Sequence, residues 1–99
     1  MLQTMSLLHF AGHVGTTFRV NAAPHSLELK LVEATDLGST PRQEQFSLVF
    51  EGPSNLLLNQ AIYRLEHAEL GDLDLFLVPI GRHGEGFTYQ AVFNRLVKG

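Results

Sequence analysis

From Phe18 onward the chain alternates apolar and polar positions with a period of two, the signature of strands buried on one face. Leu27, Leu29 and Leu31 alternate with Glu28 and Lys30, and Phe46, Leu48 and Phe50 share a second face. Tyr63 pairs with Leu65; Leu73, Leu75 and Leu77 follow; Phe87, Tyr89, Ala91 and Phe93 complete the set. With Phe18-Arg19-Val20 this pattern predicts six strands. The apolar phase slips at Leu31-Val32, where a β-bulge is expected. Before Thr16 the period changes. Leu7, Phe10, Ala11 and Val14 recur at i, i+3, i+4 and i+7, which predicts one helix over about residues 6–14. Thr4 or Ser6 can cap it, Gly12 weakens it, and Gly15 supplies a left-handed stop.

The connections at Asn21–His25, His67–Gly71 and Gly81–Gly86 carry proline or glycine and read as turns, and the last two join adjacent strands at short range, which favours antiparallel hairpins. Asp36–Gln45 and Gly52–Gln60 are longer. The expected fold is therefore all-β and mainly antiparallel, a six-stranded barrel or sandwich with one short N-terminal helix. Large side chains such as Phe18, Phe46, Phe50, Tyr63, Tyr89 and Phe93 are expected to fill its interior.

The two halves of the β region, 17–51 and 61–95, resemble each other. Phe18-Arg19-Val20 corresponds to Tyr63-Arg64-Leu65, Leu27–Val32 to Leu73–Val78, and Val49-Phe50 to Val92-Phe93, at offsets of 45, 46 and 43 residues. Two three-stranded repeats would close naturally into a barrel, which removes sheet edges. Alternation of leucine with charge, common to all half-buried strands, also produces such matches by chance, and both readings stand open at this point.

Composition narrows the function. The 99 residues, 44% hydrophobic, suit one domain over 1–99. No cysteine is present, so disulfides, thiol nucleophiles and cysteine-bound metals are excluded. A net charge of −3, with scattered basic residues, predicts neither nucleic acid nor an anionic membrane as partner. Met1–Ser6 lacks the basic start and apolar run of a secretion signal, so a cytoplasmic location is expected.

Candidate chemistry is sparse. His9 and His13 have the i, i+4 spacing of zinc-binding helices, but no third ligand is placed. Glu66, His67, Glu69, Asp72 and Asp74 form the densest polar cluster, and the spacing matches no calcium loop. A charged hairpin that keeps a sheet edge soluble explains it better. No serine lies in a Gly-x-Ser-x-Gly context, and Gly81–Gly86 reads as a hairpin loop rather than a phosphate cradle. No catalytic residue, metal site or cofactor is expected, nor is an enzyme. Leu56-Leu57-Leu58 stands apart, because one sheet face cannot absorb three successive leucines. The run is either a lid over the protein's own core or a contact surface for another subunit.

Several stretches also carry a family likeness: Gly15–Val20, Tyr63–His67 with Leu70-Gly71, Leu75–Ile80 and Tyr89–Asn94. Together they resemble a bacterial family of small uncharacterised proteins, over most of the chain. The resemblance implies no catalytic residue. It implies an accessory or assembly role beside proteins with phage-tail-collar-like domains. The reading that follows is a protein-interaction or assembly module, binding a protein partner or copies of itself. A barrel carrying a small apolar ligand is the alternative, and it requires a cavity of about 300 Å³ or more.

Overall fold

The computed structural model describes residues 7–22, 25–83 and 86–96. A short helix, α1 (Leu7–Ala11), precedes six strands: β1 (Thr17–Ala22), β2 (His25–Asp36), β3 (Gln43–Gly52), β4 (Ala61–His67), β5 (Gly71–His83) and β6 (Gly86–Leu96). All neighbours are antiparallel, and the order β1-β2-β3-β6-β5-β4 closes on itself as a barrel. The alternating positions explain why. Phe18, Val20, Leu29, Leu31, Phe46, Leu48, Phe50, Leu65 and Tyr89 are all fully buried, and they enter from five strands. Burying such side chains stabilises the fold by about 1.5–3 kcal/mol each.

The barrel is two three-stranded meanders, β1–β3 and β4–β6. They join along the whole of β3 against β6, and at two residue pairs, Arg19 with Glu66 and Val20 with Leu65, between β1 and β4. Exchanging the meanders leaves this pairing scheme unchanged. The correspondence reaches individual residues. Thr17 lies opposite Lys30 and Arg19 opposite Glu28; Ile62 lies opposite Phe76 and Arg64 opposite Asp74. Offsets of 45 and 46 residues carry the first set onto the second. Each middle strand also carries one bulge, between Leu31 and Glu33 in β2 and between Pro79 and Gly81 in β5. The later hairpins match less closely: the β5–β6 register is slipped by two residues from what the repeat offsets require, which keeps side chains on their faces.

Each end of the barrel is plugged by the segment that precedes a meander. Before β1, Phe10 is fully buried against Phe46 and Phe93, its ring 5.9 and 5.4 Å from theirs. Before β4, Leu58 is 5% exposed, and its amide donates to the Tyr89 hydroxyl at 3.0 Å. Tyr89 lies directly opposite Phe50 on β3. One polar bond thus anchors the second plug in an apolar setting.

Two expectations need correction. The helix is shorter than 6–14: it ends at Ala11, and residues 12–15 form turns. Phe10 is buried, but Ala11 and Val14 are exposed, so the four-residue stripe is not a core face. Gly12, a poor helix former, follows the last helical residue, and Gly15 takes a left-handed φ of 95° on entering β1. Ser6 and Thr4, the proposed caps, lie outside the described residues. The second correction concerns Gly81–Gly86. β5 continues to His83 and β6 begins at Gly86, so most of that stretch is strand. Gly86 is required there for space, since a Cβ at this position would collide with the Gly52 carbonyl.

Candidate functional site

The Leu56–Leu58 segment divides by residue. Leu58 is the plug, Leu56 is half-buried against the core, and Leu57 is 48% exposed. The lid role therefore falls to Leu58, and Leu57 is the one whose side chain remains half in solvent.

The polar cluster also separates. Asp72 and Asp74 point outward, and Arg64 pairs with Asp74 through Nε to Oδ1 at 2.5 Å and Nη2 to Oδ2 at 3.3 Å. That bidentate contact holds the Asp74 carboxyl below its usual range. Both partners are more than half exposed, so solvent screens the pair and it contributes little to stability.

His67, by contrast, is buried in a directed network. Its Nδ1 accepts from the amides of Glu69 and Leu70 at 3.0 and 3.2 Å, so its proton sits on Nε2. Nε2 then donates to Thr16 Oγ1 at 2.9 Å, and the Thr16 hydroxyl donates to the His13 carbonyl at 2.6 Å. Burial first, and the neighbouring His13 second, lower the His67 pKa. This tautomer cannot take a proton from Thr16, so the pair is not a nucleophile and base. It clamps the α1–β1 connection to the β4–β5 turn.

His13 completes the clamp from the solvent side. Its Nδ1 donates to the His9 carbonyl at 2.8 Å, and its Nε2 faces Glu69 Oε2 at 3.4 Å. The carbonyl bond, with Glu69 adding to it, raises its pKa. His9 and His13 are thus joined through a backbone carbonyl, an arrangement unlike a shared metal. Among the described residues no group of three or more His, Asp or Glu side chains converges as a metal site.

The outer wall offers two contrasting faces. On β1 and β2 it is polar: Thr17, Arg19, Glu28 and Lys30 are all exposed. An 880 Å³ cleft opens here, between these side chains and Glu51, Pro53 and Leu56. On β4 and β5 the matching positions are Ile62, Arg64, Asp74 and Phe76, with Ile62 69% and Phe76 49% exposed. Ile80, further along β5, and Val92 on β6 add exposed aliphatic surface. Sequence reasoning missed this face. The available signal was Phe76, an aromatic in the polar phase of Leu73–Leu77 where the first repeat has Lys30.

The fold and its surfaces define a small closed antiparallel β barrel with an enclosed apolar interior. The chain belongs to the family described as domain of unknown function DUF6916, which it matches over residues 5–93. No curated protein and no solved structure matches it. The family description assigns no activity, ligand or partner. No helix among the described residues is long and apolar enough to cross a membrane.

Proposed function

We propose that this domain is a non-enzymatic protein-contact module, and that the β4–β5 outer face is its contact surface. The observation that carries this is the Ile62–Phe76 cross-strand pair, exposed where the other meander has Thr17 and Lys30. A water-facing sheet gains only about 0.2–1 kcal/mol from an isoleucine opposite a phenylalanine, whereas an interface centre favours aromatic and aliphatic residues over charge. Arg64 and Asp74 beside the pair supply a rim of both signs, which suits a protein partner or a second copy. An assembly partner of the phage-tail-collar-like kind belongs to the same reading.

A ligand-carrying barrel is less well supported. The interior is occupied by Phe18, Phe46, Phe50 and Tyr89, and the 880 Å³ cleft lies on the outer wall with charged lining. The test is the double variant Ile62→Thr with Phe76→Lys, which rebuilds the β4–β5 face in the image of β1–β2. It should keep the wild-type melting temperature and lose self-association or partner capture. Association unchanged in a folded double variant would refute the reading.

A further inference from the structure

The outer edge of β2 is open where the cleft lies. The ladder to β1 fixes which backbone groups point where. Leu31 donates its amide to the Thr16 carbonyl at 3.0 Å, and Gly15 donates to the Leu31 carbonyl at 2.7 Å, so Leu31 faces β1. Antiparallel pairs alternate between bonded and non-bonded, which turns Leu29 and Leu27 toward β1 as well. Ser26, Glu28 and Lys30 therefore direct N–H and C=O to the other side. Lys30 meets Glu51 of β3 there.

Beyond that pair β3 departs. Continuing the register would set Pro53 opposite Glu28, and proline has no N–H to give the Glu28 carbonyl. Among the described residues, no backbone or side-chain group pairs with the outward N–H and C=O of Ser26 or Glu28. These groups face the 880 Å³ cleft, whose far wall is Pro53, Asn55 and Leu56. A volume of this size is in the range of ligand clefts. Its charges balance by position: Arg19 lies opposite Glu28, and Lys30 opposite Glu51.

We propose that this edge accepts an extended segment of a partner polypeptide as an added strand beside Ser26–Glu28. A row of alternating donors and acceptors at strand spacing is complementary to another backbone in the β conformation, and strand addition is a recurring mode of peptide recognition. The balanced charge selects a segment of low net charge. Leu56 on the cleft wall offers an apolar contact to a side chain on one face of that segment. At the matching positions of β5, Asp74 is the counterpart of Glu28, but Asp72 stands where the first meander has Ser26, an added charge of the kind that discourages strand addition, which favours the first meander.

This inference rests on the protein-contact reading but uses a different surface, so the Ile62/Phe76 variant and the test below fail independently. The probe is a phage-displayed library of ten-residue peptides selected on the wild-type chain, followed by anisotropy titration of the enriched peptides. Ser26→Pro removes one cleft-facing N–H without touching a bond to β1, whereas Ser26→Ala keeps the backbone intact. Enriched peptides should bind wild type and Ser26→Ala alike and Ser26→Pro at least tenfold more weakly. No enrichment, equal binding to Ser26→Pro, or dimerisation of the free chain through this edge would overturn the proposal. Should Ser26→Pro fail to fold, amide exchange of the wild type decides. Peptide must slow exchange at Ser26 and Glu28, and protection appearing elsewhere would also overturn it.

Discussion

The two meanders are built on one plan and finished differently on the outside. Both place Arg opposite an acidic residue, Arg19 with Glu28 and Arg64 with Asp74. Two residues along each strand, the first meander sets Thr17 against Lys30, and the second sets Ile62 against Phe76. Inside, the counterparts are equivalent: Leu29 and Leu75, 46 residues apart, are both buried. Packing constrains inward positions in both halves, because a barrel interior must be filled. Outward positions are free of that constraint, so a difference there reports on what each face meets.

The largest effect is expected at a plug. Leu58→Asp would bury an unpaired carboxylate beside Tyr89 and should lower stability by about 3–5 kcal/mol. Leu57→Asp, one residue earlier and half exposed, should change it by about 0.5 kcal/mol or less. Chemical denaturation of the two variants measures both. Equal effects would mean that the segment does not divide at Leu58.

The core comparison comes next. Leu29→Ala and Leu75→Ala should each cost about 2–5 kcal/mol, the range for truncating a buried leucine. A cost below about 1 kcal/mol at only one of them would break the equivalence of the two interiors.

Much of this plan was legible in the alternation of single strands. The faces of Leu27–Leu31 and Phe46–Phe50 followed from period two, and the slip at Leu31-Val32 marked a bulge that is present. Other features depended on neighbours that no local pattern encodes. The helical spacing of Leu7, Phe10, Ala11 and Val14 was real, but the barrel end takes only the Phe10 ring and part of Leu7, and the chain must then turn to enter β1. Gly81 and Gly86 looked like loop residues, yet Gly86 is a strand residue packed too close to Gly52 for a side chain. The Ile62–Phe76 pair and the open edge at Ser26 and Glu28 depend on inter-strand register and on where β3 stops. The His67 clamp depends on a contact with Thr16, 51 residues away.

That clamp is a second difference between the halves, since the position 45 residues before His67 is Ala22. It predicts a modest pH effect. The folded pKa of His67 is lowered from about 6.5, so the unfolded chain takes up its proton first as pH falls. The contribution of His67 is complete above pH 6.5 and is lost as pH drops toward the folded value. The melting-temperature advantage of wild type over His67→Ala should therefore shrink between pH 7.5 and 5. His13 acts in the opposite sense: its raised pKa contributes stability below 6.5 that is lost on raising the pH. An advantage over His67→Ala that grows in acid would contradict the tautomer derived for His67.

The smallest stability effect is expected on the outer faces. Lys30→Ala and Phe76→Ala should both fall within about 0.5 kcal/mol, because neither side chain belongs to the core. A loss above 2 kcal/mol for Phe76→Ala would mark it as part of the protein's own packing rather than a surface held for a partner.

Site-specific photocrosslinking from matched positions tests the central claim most directly. A photoreactive phenylalanine analogue is placed at position 76 or at its counterpart 30, and the full-length chain is irradiated in its native cell extract. The contact-module reading predicts a discrete crosslinked protein or dimer from position 76, distinct from any product captured at position 30, which lines the β2 cleft. The same product from both positions, or none from position 76, would contradict it.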